Sequence, residues 1–241
     1  MRYFKILTLI TSLLFLNSHV SFGQSLEEIL KKHFTAMGGV DKIKGVKTQY
    51  LEGQVSTQGQ EMPFKRWVEH NKAMRMEFDV MGTQNIQVVR GDSGWMQMPV
   101  MGQTSPQDMD ANTLKVMKGQ LDISGSELYD YAAKGKKVAL MGKDTVNGKP
   151  AFKLKVTNKE GKDGYAYIDA GSYYIVKTTN TLNVQGKDME LVTELSDYKK
   201  NAEGYVYPGT TSQGPMGVIV TVQRLDVNKP VADTLFNKPQ Q

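Results

Sequence analysis

The sequence predicts a mainly β chain of the α+β class, built on an antiparallel, meandering sheet. Three observations carry this. One amphipathic helix opens the chain after its leader, the hydrophobic period changes from 3.6 to 2 at Gly45, and no helical crossovers separate most of the strand candidates that follow. The composition is that of an ordinary globular protein, with 39% hydrophobic and 23% charged residues among 241. The absence of Cys excludes a disulfide scaffold, a thiol nucleophile and a Cys-type zinc or iron–sulfur site.

Met1–Gln24 begins with Arg2 and Lys5, continues through the apolar run Ile6–Leu16 and ends in small residues around Ser21–Gly23. That is the pattern of a cleavable signal peptide, so residues 1–23 are expected to be removed and 24–241 to form a single exported, periplasmic domain. Subtracting Arg2 and Lys5 from the formal charge of +5 leaves the mature chain near +3, with no basic block. Nucleic acid is therefore not an expected partner.

In Ser25–Met37, Leu26, Ile29, Leu30, His33, Phe34 and Met37 recur at three- and four-residue spacing. Ser25 is the expected N-cap, and Gly38–Gly39 the stop. Strands are expected at Lys47–Thr57, Met62–His70, Ala73–Val80, Asn85–Arg90 and Gly94–Met98. Further strands are expected at Lys137–Thr145, Ala151–Asn158, Tyr165–Asp169, Tyr173–Leu182, Met189–Tyr198, Tyr205–Ser212 and Gly217–Asp226. Between the two sets, Pro106–Gly135 reads as two helices, one ending at Gly119 and one running from Ser126 to Gly135.

Eleven or twelve strands curled on themselves enclose more space than their own side chains fill, so the inserted helices are expected to plug or cover a hollow. Its walls would be apolar and suit a lipid-like ligand. Strand alternation and the first inserted helix nominate Phe64, Met74, Met76, Phe78, Val88, Met96, Leu114, Met117, Phe152 and Leu154 as lipid-binding residues. Seven methionines fall between Met62 and Met101, namely Met62, Met74, Met76, Met81, Met96, Met98 and Met101. Such side chains either fill gaps in a core or let an apolar wall re-pack around varied partners.

Catalytic patterns are sparse. His33 reads as a packed or capping residue, and His70 as a surface or gate residue with no second His at metal-ligand spacing. Gly91-Asp92-Ser93-Gly94 looks like a protease serine motif, but no histidine is placed to serve it, and a hairpin turn explains it. No enzymatic activity, metal or cofactor is expected.

Several stretches in order resemble the LolA/LolB-like outer-membrane lipoprotein-sorting proteins. They are Tyr50-Leu51-Glu52-Gly53, Trp67-Val68-Glu69-His70-Asn71, Ala73-Met74-Arg75-Met76-Glu77-Phe78, Gly91-Asp92-Ser93-Gly94-Trp95 and the ending Val227–Pro239. The resemblance implies an eleven-stranded curved half-barrel with lid helices over an apolar cavity. It implies a periplasmic carrier that shelters the acyl chains of a lipoprotein or other lipid, with a role in lipoprotein sorting. A membrane donor complex and an acceptor would be its partners, and it would act as a monomer. The family's cavity-wall aromatics fall on Met74 and Met76. Its gating arginine falls at or beside His70, where this chain has His70-Asn71 instead of Arg-Pro; His70 and Arg75 are the candidate gate residues. The alternative from another class is a non-catalytic cell-envelope interaction module whose half-barrel is filled by its own side chains.

Overall fold

The computed structural model describes residues 24–184 and 187–239, so the expected signal peptide at 1–23 lies outside the described residues. Helix α1 (Leu26–Ala36) starts at a reciprocal capping box. The Ser25 hydroxyl accepts from the Glu28 N–H and the Glu28 carboxylate accepts from the Ser25 N–H, each at 3.2 Å. A one-turn helix α2 (Val40–Lys44) follows.

The strands are β1 (Thr48–Thr57), β2 (Gln60–Glu69), β3 (Ala73–Val80), β4 (Thr83–Arg90), β5 (Ser93–Met98) and β6 (Gln103–Asp108). After helix α3 (Ala111–Lys118) come β7 (Lys137–Val146), β8 (Lys149–Thr157), β9 (Asp163–Asp169), β10 (Ile175–Val184), β11 (Lys187–Lys200), β12 (Val206–Gln213) and β13 (Val218–Val227). All thirteen join one antiparallel sheet in the order β6-β5-β4-β3-β2-β1-β13-β12-β11-β10-β9-β8-β7. Each half is a meander of neighbours in sequence, and the β1–β13 ladder joins the halves. A sheet this wide curls under its own twist, and its two ends, β6 and β7, stay unpaired with one another.

Hairpin chemistry follows from backbone sterics. Gln58-Gly59, Met81-Gly82 and Asn147-Gly148 each place two consecutive residues at positive φ, the requirement of the tight turn that matches strand twist. Gly53 sits at a bulge between β1 and β13, where a Cβ would overlap the Thr221 carbonyl oxygen.

The expectations differ from the structure in three places. The half-barrel has thirteen strands rather than eleven. Gln103–Asp108, unassigned or helical by sequence, is the edge strand β6, where Pro106 leaves no ladder partner unsatisfied on the open side. Pro106 accordingly does not start a helix; Asp110 caps α3 by accepting from the Asn112 and Thr113 N–H groups. The second helix, Ser126–Gly135, is a run of single turns. Gly125 and Asp130 adopt positive φ, which interrupts any helical ladder there.

Register assigns the faces. Leu51, Arg66 and Met76 share one row, as do Gln49, Val68, Met74 and Val89. Helices α1 and α3 and the segment 119–136 cover this face. Helix α1 packs Ile29 and Leu30 with Leu128 against Phe152, Leu154, Ala166 and Ile168 of β8 and β9. Met117 of α3, with Leu121 and Ile123 beyond it, packs on Val68, Met74 and Val89. The opposite face carries the C-terminal segment, where Phe236 is buried against Ala73, Val88 and Trp95.

Candidate functional site

Between segment 119–127 and strands β1, β2, β12 and β13 a cavity of about 760 Å³ remains. That lies within the roughly 300–1,000 Å³ of small-ligand sites. One wall is apolar. Leu51 and Val55 of β1, Phe64 of β2, Met76 of β3 and Val220 and Val222 of β13 point into it, placed there by strand alternation and the β1–β13 pairing. The other wall is polar and comes from segment 119–127 with Lys134, Lys136 and Lys159.

The charges on that wall are mostly engaged. Lys134 Nζ lies 2.7 Å from Asp122 and donates to Ser124 Oγ at 2.6 Å. Burial pushes the Asp122 carboxyl up, but hydrogen bonds from Lys134 and Ser124 outweigh it and hold the group at about 2. Lys136 lies 3.5 Å from Glu127. Arg66, on the sheet side, is different. Its Nη2 donates to the neutral Gln49 Oε1 at 2.8 Å, and its Nε is buried without a partner. Burial lowers the guanidinium from its ordinary value, opposed by the nearby Tyr205 phenol. Burial in turn pushes the Tyr205 hydroxyl up to about 12.

Of the residues the sequence nominated, Phe64 and Met76 line this cavity. Met74 shares their face but is fully buried beneath Met117 and the segment after α3. Phe78 borders a separate hollow of about 300 Å³ beside Phe64. Met96 shares a register row with Gln87 and Met76 without lining the cavity. Leu114 and Met117 pack on the sheet as core, and Phe152 and Leu154 lie beneath α1 rather than in the open space. Val88 is a correction: it pairs with Arg75 and Trp95 on the opposite face, because the C-terminal segment makes that face apolar too. The methionine group divides as well. Met74 and Met98 are core, whereas Met81 and Met101 stand 90% and 71% exposed at hairpin turns.

The gate candidates separate in the same way. His70 Nδ1 accepts from the Ile123 N–H at 3.2 Å, and the Asn71 N–H donates to the Leu121 carbonyl at 2.9 Å. The β2–β3 turn is thus stitched to the segment that walls the cavity. Arg75 is the second correction. It bonds Glu77 at 2.6 Å and the Leu235 carbonyl at 3.0 Å and stacks over Trp95, all on the face away from the cavity. Sequence reasoning missed Arg66, Gln49 and the β12–β13 wall. The available signal was Arg66 itself, a charge at an inward position between Phe64 and Val68.

His33 is buried and neutral. Its Nδ1–H donates to the Tyr173 carbonyl at 2.8 Å, so Nε2 accepts from the Ser126 hydroxyl at 2.9 Å. Burial lowers its pKa, partly offset by the Tyr173 bond. The Ser93 hydroxyl donates to the Arg90 carbonyl at 3.1 Å within its turn, as a hairpin residue does. Among the described residues no three His, Asp or Glu side chains gather as a metal site. No helix among them is long and apolar enough to cross a membrane.

No protein-family model and no curated protein sequence matches the chain. Solved structures do match. A DUF1329 family protein from Desulfovibrio piger shares 14% identity over 86% of this chain and 96% of its own, with a TM-score of 0.56. A domain named for outer membrane lipoprotein sorting from Vibrio parahaemolyticus shares 13% over 88% and 95%, with a TM-score of 0.54. The LolA superfamily protein NE2245 from Nitrosomonas europaea shares 11% over 90% and 99%, with a TM-score of 0.55. The chain therefore has the LolA-like fold.

Proposed function

We propose that this protein is a non-catalytic carrier that shelters an acyl chain of a lipoprotein or another lipid in the cavity between segment 119–127 and the sheet. The observation that carries the reading is the space itself. The interior is filled beneath α1 and α3, yet the protein's own side chains leave a space of about 760 Å³ beside Leu51, Val55, Phe64, Met76, Val220 and Val222. Ten methylenes moved from water onto such a wall gain about 8 kcal/mol before ordering costs, enough to drive uptake. The shared fold adds support, since the Vibrio domain is named for lipoprotein sorting and the Nitrosomonas protein for the LolA superfamily. The reading carries with it export to the periplasm, a donor and an acceptor for the cargo, and action as a monomer.

The test is direct. Protein purified from its native compartment is extracted and its lipids identified by mass spectrometry, and the stripped protein is titrated with a fluorescent acyl probe. Co-purified lipid and saturable uptake are expected. Lipid-free protein that takes up no probe overturns the carrier and leaves the filled interaction module, whose one structural support is the closed half beneath α1.

A further inference from the structure

Arg66 has an unmet requirement. Arg66 is half-buried on the cavity wall, and a guanidinium partly withdrawn from water against a neutral amide alone lacks the anion that would offset its desolvation. Here Nη2 meets only the Gln49 amide oxygen, Nε meets nothing, and no carboxylate among the described residues pairs with it. The lysines of the facing wall have carboxylate neighbours, Lys134 with Asp122, Lys136 with Glu127 and Lys159 with Glu160, so Arg66 stands apart from them. Position matters as much as charge. Arg66 is two register rows farther from the β1–β2 turn than Phe64 and Gly53, and four rows farther than Val55. On that side the cavity is bounded by Gln49 and Tyr205, while its apolar wall runs the other way through Phe64, Val55 and Val220.

Resting on the carrier reading above, we infer that the cavity selects amphiphiles with an anionic headgroup, a carboxylate or a phosphate. The head enters first to meet the forked donors of Arg66, and the tail lies along Phe64, Val55 and Val220 toward the β1–β2 turn. Guanidinium fits either anion through two parallel N–H bonds, and such charge-assisted bonds are stronger than the neutral bond an alcohol can make. The tail accounts for uptake, and Arg66 accounts for choice among cargoes with the same tail.

The experiment compares three probes of equal chain length, dodecanoate, dodecyl phosphate and dodecanol, by competition against a fluorescent acyl probe on the stripped native chain. Both anions, or whichever of carboxylate and phosphate the site prefers, are expected to bind at least ten-fold tighter than the alcohol. Arg66→Gln is expected to bring the anions down to the level of the alcohol. Dodecanol binding as tightly as both anions to the native chain overturns the headgroup assignment while sustaining the carrier. Binding of none of the three overturns the carrier reading and this one with it. The native-chain comparison stands even where Arg66→Gln fails to fold.

Discussion

The His70 imidazole holds the backbone N–H of Ile123 at 3.2 Å, a contact that ties the β2–β3 turn to the segment walling the cavity. The bond spans 53 residues of sequence and is reinforced one residue on by the Asn71 amide on the Leu121 carbonyl at 2.9 Å. Together the two bonds fasten the segment that walls the cavity to the edge of the β2–β3 hairpin. His70→Ala leaves the Ile123 N–H unpaired and is expected to cost about 1 kcal/mol locally. Hydrogen exchange should speed up at Ile123 while the β8–β9 amides stay protected, and acyl-probe release should quicken. Unchanged exchange at Ile123 would rule out the latch.

His33 sets a pH dependence of stability. It is neutral in the fold, clamped between Tyr173 and Ser126, with its pKa lowered chiefly by burial. The unfolded chain, with an ordinary value near 6.5, binds the proton more readily. The contribution is complete above about pH 6.5 and declines as pH falls from there toward the lowered native value. Denaturant midpoints measured between pH 8 and pH 5 should fall over that interval, and His33→Gln should flatten the slope. A slope that survives the substitution assigns the effect elsewhere.

Met76 and Val88 form a matched pair for the carrier reading. Both are apolar residues of neighbouring strands, but Met76 faces the cavity and Val88 the opposite side. Met76→Glu puts a charge on the apolar wall and is expected to abolish acyl-probe uptake with the circular dichroism spectrum retained. Val88→Ala is expected to cost about 2 kcal/mol of stability from the lost methyl groups and to leave uptake intact. Equal loss of uptake in both would mean that the cavity is not where the probe sits.

These contrasts also show what the amino-acid pattern could reveal. The long strands were legible because Met74, Met76, Phe78 and Phe152, Leu154 alternate with charges, and α1 because its apolar stripe and its capping serine agree. Strand β6 was not, since Gln103-Thr104-Ser105-Pro106-Gln107-Asp108 has no apolar face, and an edge strand with one partner needs none. Leu128, Tyr129 and Tyr131 mimic a helical stripe, yet Asp130 adopts a left-handed conformation that helix spacing cannot anticipate. Val88 and Val89 are apolar side by side because both faces of β4 are covered, so alternation does not say which looks inward. The β13 wall of the cavity depends on the β1–β13 ladder, a pairing across more than 160 residues that leaves no local mark.

The face away from the cavity yields a control for all of these measurements. Phe236 is buried against Ala73, Val88 and Trp95, the Trp95 indole N–H points to the Phe236 carbonyl at 3.4 Å, and Arg75 holds the Leu235 carbonyl at 3.0 Å. The nearby Arg90–Asp233 pair at 2.7 Å is solvent-exposed and adds little on its own. Truncating the ring is therefore the severe change: Phe236→Ala should cost roughly 3–5 kcal/mol and lower the melting temperature by about 10 °C. Acyl-probe affinity of the protein still folded at 20 °C should not move, because neither Phe236 nor its neighbours reach the cavity wall. If affinity falls together with the melting temperature, the two faces of the sheet are coupled, and the C-terminal segment takes part in loading rather than only in stability.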